Sequence, residues 1–266
     1  MMLLPSVIGH RGAAAAAPEN TLESIHQAAC QGVRWVEFDV QLTQDGQVIL
    51  FHDDDLQRTT NGQGKIWESS YAAIRKLDAG RWFAENWRGA KVPTLAEAIF
   101  LLLNLDLKAN IEIKIPEHFA EGHPYIEKTV FNTISLLREY WPKKHPLLLS
   151  SFSFPALELA YQMAPEFERG LLLWGKPQDW QQQAHAIRAK TVNCADQFIT
   201  KEWISEIRQM GYESAIYTIN QVRRARELLE WGASSLFTDC PAMIIAGVKS
   251  MTSAGDYPPG VLKKLK

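Results

Sequence analysis

The chain has 266 residues, 46% of them hydrophobic, and a formal net charge of −2 from 28 Lys and Arg against 30 Asp and Glu. That length suits one large domain or two small ones with a sizeable core, and the charge supplies no basic field for nucleic acid. Three cysteines (Cys30, Cys194, Cys240) lie far apart without metal-ligand spacing, and read as small core residues of a reducing compartment.

In chain order, MMLLPSVIGH lacks the basic segment and long apolar run of a secretory signal, and its residues 6 to 10 predict a buried strand. Asn20 with Glu23 predicts a capping box opening a helix that runs to Gly32. WVEFDVQL (35 to 42) predicts a strand with Glu37 and Asp39 on one face and Val36, Phe38, Val40 and Leu42 on the other. The Asp45-Gly46 pair turns it into a hairpin with QVILFHD. From residue 53 the rhythm breaks into a polar, aromatic and Gly-rich excursion, which the helical stretch TLAEAIFLLLNL follows. That stretch continues into the longest apolar run, which Asn104 and Asp106 interrupt and which is too short for a bilayer.

ANIEIKI then predicts a strand with Ile111 and Ile113 on one face and Glu112 and Lys114 on the other. Residues 124 to 141 predict a helix stopped by Pro142, and strands PLLLSSF, ERGLLLW, KTVNC, SAIYTIN and SSLFTD alternate with helices to the end. About eight strand–helix steps at this length predict a closed TIM (β/α)8 barrel, with a doubly wound open sheet as the alternative. The expected domain spans residues 1 to 248. The Pro/Gly-punctuated basic tail from 249 to 266 is expected to be flexible.

Active sites of such barrels lie at the strand C-termini, where this chain places His10 and Arg11, Glu37 and Asp39, Glu112 and Lys114, Ser150 and Ser151, Tyr217 and Asn220, Thr238 and Asp239. Inward acids need a compensating cation. Glu37, Asp39 and Glu112 can form an all-oxygen cage for one Mg²⁺ or Ca²⁺; the alternative is that Arg11 and Lys114 merely neutralise them as ion pairs. Two positive side chains beside a divalent ion make a phosphate pocket. His10 and His52, both at strand ends, are suited to exchanging protons with a phosphodiester.

These motifs (HRG, PENT, EFDVQLTQDG, FHDDDLQRTTNG, ANIEIK, LLSSF, YTIN and TDCP) come in the order of the glycerophosphodiester phosphodiesterase family. The chain resembles the small bacterial cytoplasmic enzymes of that family up to about residue 246. The resemblance implies a TIM barrel that hydrolyses glycerophosphodiesters to sn-glycerol 3-phosphate and an alcohol. It implies His10 and His52 as acid and base, Glu37, Asp39 and Glu112 as metal ligands, and Arg11 and Lys114 on the phosphate. The excursion, from 53 to about 110, resembles a small insertion that caps the barrel mouth and shapes the glycerol end of the site. An alanine run at 13 to 17 departs from relatives without removing a catalytic group.

Further expectations are Asn20 as a helix cap able to bond into the site, Ser151 and Phe152 at the pocket wall, and Tyr217 against the substrate. Trp82 and Trp87 are the tryptophans expected to meet it. The expected partner is a small-molecule substrate, with no nucleic acid and no membrane insertion, for a cytoplasmic monomer or homodimer. A lipid-surface phospholipase and a non-catalytic phosphate binder are the competing readings; paired histidines argue against the second.

Overall fold

A computed structural model describes residues 4–252. Short runs rich in Val, Ile and Leu form strands, and the longer stretches with a 3.6-residue apolar period form helices between them. The order is β1 (Val7–Gly9), α1 (Leu22–Cys30), β2 (Trp35–Leu42), β3 (Val48–Leu50), α2 (Tyr71–Ile74), α3 (Leu95–Asn104), β4 (Lys108–Ile113), α4 (Pro124–Tyr140) and β5 (Leu147–Ser151). It continues with α5 (Phe154–Met163), β6 (Glu168–Leu173), α6 (Trp180–Ala186), β7 (Thr191–Ala195), α7 (Lys201–Gln209), β8 (Glu213–Tyr217), α8 (Val222–Glu230), β9 (Ser235–Thr238) and α9 (Pro241–Thr252).

The strands lie in the order β1-β9-β8-β7-β6-β5-β4-β2-β3, and β1 also pairs with β2. Eight parallel strands therefore close a TIM barrel, and β3 is an extra antiparallel strand on β2. Val36, Phe38, Val40, Ile111 and Ile113 face outward into the main core under the helices. Inside, Leu4, Ile8, Trp35, Leu148, Ala215 and Phe237 form an apolar floor. A polar layer includes Asn110, whose amide donates to Ser150 Oγ at 3.0 Å, and Asn193, whose Oδ1 accepts from Thr191 Oγ1 at 2.7 Å. Gly170 makes room for it, since a Cβ there would lie 2.6 Å from Thr191 Oγ1.

The helix starts follow the chemistry of their caps, with one correction. Thr21, not Asn20, caps α1 by accepting from the Ser24 N–H at 3.1 Å. The full capping box belongs to α3, where Thr94 and Glu97 satisfy each other's backbone N–H groups.

Between β3 and α3 the chain leaves the barrel and builds a second small core, in which Leu56, Ile66, Ile74, Ala79 and Val92 pack with Ile49 and Phe51. This excursion is shorter than the expected 53 to 110. Leu95, Ala98, Ile99 and Leu102 bury the apolar stripe of α3 in the main core, and β4 is a barrel strand. After the last strand, α9 packs on α8 and β1, a helix the sequence pattern did not indicate. It runs to Thr252, so the expected tail begins within a helix, and residues 253–266 lie outside the described residues. Among the described residues no helix is long and apolar enough to cross a membrane.

Candidate active site

The parallel register of β2 and β4 sets Asp39 opposite Glu112 and Glu37 opposite Asn110. With a side-chain period of two, all four point into the barrel. Glu37, Asp39 and Glu112 are buried, and each offers a carboxylate oxygen within 4.8 Å of the other two. Burying an ionised carboxylate costs on the order of several kcal/mol, and the three groups respond differently. Burial, then Asp39 and Glu112, push Glu37 well above the ordinary 4.5. Burial and Asp39 also raise Glu112, against the pull of Lys114. At Asp39 burial is outweighed by Arg11, His52 and Lys114, which hold it down to about 2. Glu37 Oε1 is buried without a hydrogen-bond partner. An orphaned carboxylate oxygen within a cluster of hard oxygen donors fits one divalent Mg²⁺- or Ca²⁺-type cation.

Two cationic side chains border the cluster. Arg11 follows β1 in a left-handed conformation, φ 49°, which a non-glycine residue rarely adopts. The turn aims its N–H at Glu37 Oε2, 2.9 Å away, while its Nε lies 3.4 Å from Asp39 Oδ2 and its Nη1 2.7 Å from Glu19 Oε1. Gly12 comes next at φ 88°, so close to α1 that a Cβ would lie 2.7 Å from the Ser24 carbonyl oxygen. Lys114 continues the β4 ladder by donating its N–H to the Val40 carbonyl. Its Nζ is 2.9 Å from Glu112 Oε1, 4.0 Å from Asp39 Oδ1 and 3.4 Å from His52 Nε2. Although burial opposes it, the surrounding acids raise both cations above their ordinary values, so they stay charged.

Each histidine is backed by its own carboxylate. His10 Nδ1 lies 2.6 Å from Asp239 Oδ1, and Asn220 donates to Asp239 Oδ2 at 2.6 Å. His52 Nδ1 lies 2.6 Å from Asp53 Oδ1. Burial opposes ionisation of both aspartates, but hydrogen bonding from the histidines, with Asn220 or Arg58, holds them below the usual range. An ionised carboxylate only accepts, so each Nδ1 carries the donated proton and each Nε2 points away from its aspartate, that of His52 toward Lys114 Nζ. His10 Nε2 is 4.0 Å from Glu37 Oε2.

His10, Arg11, Glu37, His52, Glu112 and Lys114 line one cavity of about 440 Å³ at the strand C-termini, with Ser151, Phe152, Trp174 and Tyr217 on its wall, while Asp39, Asp53 and Asp239 lie behind them. Tyr217 lines this cavity. Its hydroxyl donates to the Leu173 carbonyl at 2.7 Å, and its ring stands edge-on to Phe152 at 5.9 Å. Trp82 and Trp87 do not line this cavity, nor does any residue of the excursion beyond His52. Trp82 Nε1 donates instead to the nearby Ala79 carbonyl. The aromatic wall comes from the loops after β5 and β6 and from the last residue of β8, with Trp174 66% exposed.

Asn20 is expected as a cap able to bond into the site, and the structure gives it the second role only; the sequence does not single out Gln41, Arg58 or Glu19. Asn20, at φ 56°, gives its side chain to the site: Nδ2 donates to Asp39 Oδ2 at 2.8 Å and Oδ1 accepts the Asp39 N–H at 3.1 Å. A hydrogen bond to a buried carboxylate outcompetes the cap, and Thr21 beside it takes that role. Gln41, fully buried, donates to the carbonyls of Phe51, His52 and Asp53 at 3.2, 3.0 and 2.7 Å. Its spacing of two from Asp39 carried the signal. Arg58 and Glu19 are in loops, where no periodicity marks them.

Residues 10–243 match the glycerophosphoryl diester phosphodiesterase family. A glycerophosphodiester phosphodiesterase of Caldanaerobacter subterraneus is 31% identical over 244 residues, covering 90% of this chain and 96% of that protein. One of Bacillus subtilis is 32% identical over 251 residues, covering 88% and 83%. The structure of an Oleispira antarctica phosphodiesterase in complex with the product sn-glycerol-3-phosphate is 36% identical, with a TM-score of 0.88 over 92% of this chain and 97% of that one.

Proposed function

Since the chain belongs to the glycerophosphoryl diester phosphodiesterase family and is an enzyme of that activity, we propose a metal-dependent mechanism for it with two histidines as acid and base. Its substrates on this reading are small diesters such as glycerophosphocholine and glycerophosphoethanolamine, split into sn-glycerol 3-phosphate and an alcohol. The observation that carries the reading is the convergence of Glu37, Asp39 and Glu112 within 4.8 Å, beside two carboxylate-backed imidazoles.

Glu37, Asp39 and Glu112 would hold one Mg²⁺ or Ca²⁺, which would supply Lewis acidity toward the phosphate. Arg11 and Lys114 bind the phosphate, the first as a planar fork and the second as a point charge. One imidazole takes a proton at Nε2 from the attacking oxygen, and the other gives its Nε2–H to the departing one. Asp239 and Asp53 hold a proton on each Nδ1, which leaves Nε2 of the base free to accept, while the acid is the doubly protonated ring that carries Nε2–H as well. The rings of Phe152, Trp174 and Tyr217 form an aromatic wall on one side of the cavity. We assign this activity to the cytoplasm and to a monomer or homodimer built on the single barrel domain.

The test is a panel of glycerophosphodiesters incubated with purified protein, with and without chelator. Chelator-sensitive release of glycerol 3-phosphate supports the reading; release of a phosphorylated alcohol, or turnover untouched by chelation, overturns it.

A further inference from the structure

We propose that Arg58 is a positioning residue for His52, and that the excursion between β3 and α3 serves the reaction through this side chain. The inference rests on the reading of His52 as a proton-transfer group.

Arg58 makes four hydrogen bonds to two carboxylates: Nε and Nη2 to Asp53 at 2.5 and 2.8 Å, and Nη1 and Nη2 to Glu19 at 2.8 and 2.7 Å. A guanidinium with two-point contacts to both partners fixes their planes as well as their positions, which a lysine cannot do. Asp53 Oδ1 is also the atom 2.6 Å from His52 Nδ1. Any rotation of the Asp53 carboxylate therefore turns the imidazole, and with it Nε2. Glu19 is held in turn by Arg11 at 2.7 Å. The chain Asp53–Arg58–Glu19–Arg11 thus ties the loop after β3 to the loop after β1.

The base from which Arg58 projects is itself fixed. Leu56 is buried in the excursion's own core, and the Thr60 N–H and hydroxyl both bond to the Leu56 carbonyl, at 3.1 and 2.6 Å. The Leu56 N–H donates to the Gly64 carbonyl at 3.1 Å. The Arg58 side chain is 45% exposed and yet bonded through all three guanidinium nitrogens. This accounts for an excursion that lines none of the cavity beyond His52.

The experiment measures kcat, KM and thermal midpoint for Arg58→Ala and Arg58→Lys, each alone and combined with His52→Ala or His10→Ala. Arg58→Ala is expected to lower kcat about 10- to 100-fold with KM nearly unchanged, and added guanidinium ion is expected to restore part of the loss. Arg58→Lys keeps the charge and also loses kcat, which covers the case of an unfolded alanine variant. The loss in kcat is expected to vanish in the His52→Ala background and to persist in His10→Ala, because the kcat effect passes through Asp53 to the His52 ring. An equal loss in both backgrounds, a change confined to KM, or unchanged kcat overturns the proposal. A His52→Ala enzyme with normal kcat overturns the acid–base reading itself, a result separate from any behaviour of Arg58 beside an essential His52.

Discussion

Asp39 and Glu112 face each other across the parallel pair β2–β4, one held down to about 2 and the other raised. The difference follows their neighbours. Asp39 has Arg11 at 3.4 Å and the Asn20 amide at 2.8 Å, whereas Glu112 has Lys114 and the repulsion of Asp39. Glu112→Gln keeps the shape and removes one ligand charge. The fold is expected to survive, and divalent-ion affinity to fall by about 10- to 100-fold, the range for perturbed metal surroundings. Calorimetric titration with Mg²⁺ and Ca²⁺ checks this, and unchanged affinity removes Glu112 from the ligand set.

Glu37 carries a pH consequence. Its carboxyl is raised well above 4.5 by burial and by its two acidic neighbours. A group raised by folding stabilises the protein fully below its unfolded value, and that contribution is lost as pH rises through the folded value. The cation-free protein therefore loses Glu37's contribution from near pH 4.5 upward, while a bound divalent ion offsets the charge. The gap in thermal midpoint between ion-loaded and ion-free protein is expected to widen with pH across that window. Asp39, at about 2, is ionised throughout it and adds nothing to the slope. Melts at constant ionic strength test this; a gap independent of pH, or one that Glu37→Gln leaves just as steep, contradicts it.

The acids were legible in the sequence because strand parity is a local rule. Glu37, Asp39, Glu112 and Lys114 alternate with residues that must face the helices, so few other placements were open to them. The same parity extends to Gln41, whose amide is less conspicuous than a charge. Asn20 was misread because Asn-Thr offers two caps in tandem, and only a tertiary contact with Asp39 decides between them. The excursion's boundary was misjudged at α3, where the apolar stripe finds its cover in the main core. Trp174 and Arg58 sit in loops, which obey neither period; Arg58 falls inside the FHDDDLQRTTNG motif, but its contact with Glu19 spans 39 residues.

Gln41 holds the backbone that carries His52. Its amide donates to three successive carbonyls, Phe51, His52 and Asp53, from a fully buried position. Gln41→Leu fills similar space without a donor and leaves buried acceptors unmatched. The expected destabilisation is about 1–3 kcal/mol, read by denaturant unfolding. A fall in kcat is expected with it, because the backbone of residues 51–53 sets the direction of the imidazole. Normal stability would mean that these carbonyls find other donors.

The two histidines have matching supports, and each is expected to be needed in the chemical step. Both place Nδ1 at 2.6 Å from an aspartate and leave Nε2 toward the cavity. General acid–base catalysis is worth roughly 10²–10⁴-fold, so His10→Ala and His52→Ala should each lower kcat by about that factor. Substrate affinity should change less, because on the proposed mechanism Arg11, Lys114 and a cation held by the three carboxylates still bind the phosphate. A p-nitrophenolate leaving group departs with little help from a proton. The histidine acting as general acid should therefore be partly dispensable on p-nitrophenyl diesters, while the base stays necessary on every substrate. Comparing each variant on a natural diester and on its p-nitrophenyl counterpart assigns the roles by that asymmetry. Near-normal kcat for both variants on the natural diester would make the imidazoles structural and leave proton transfer to other groups.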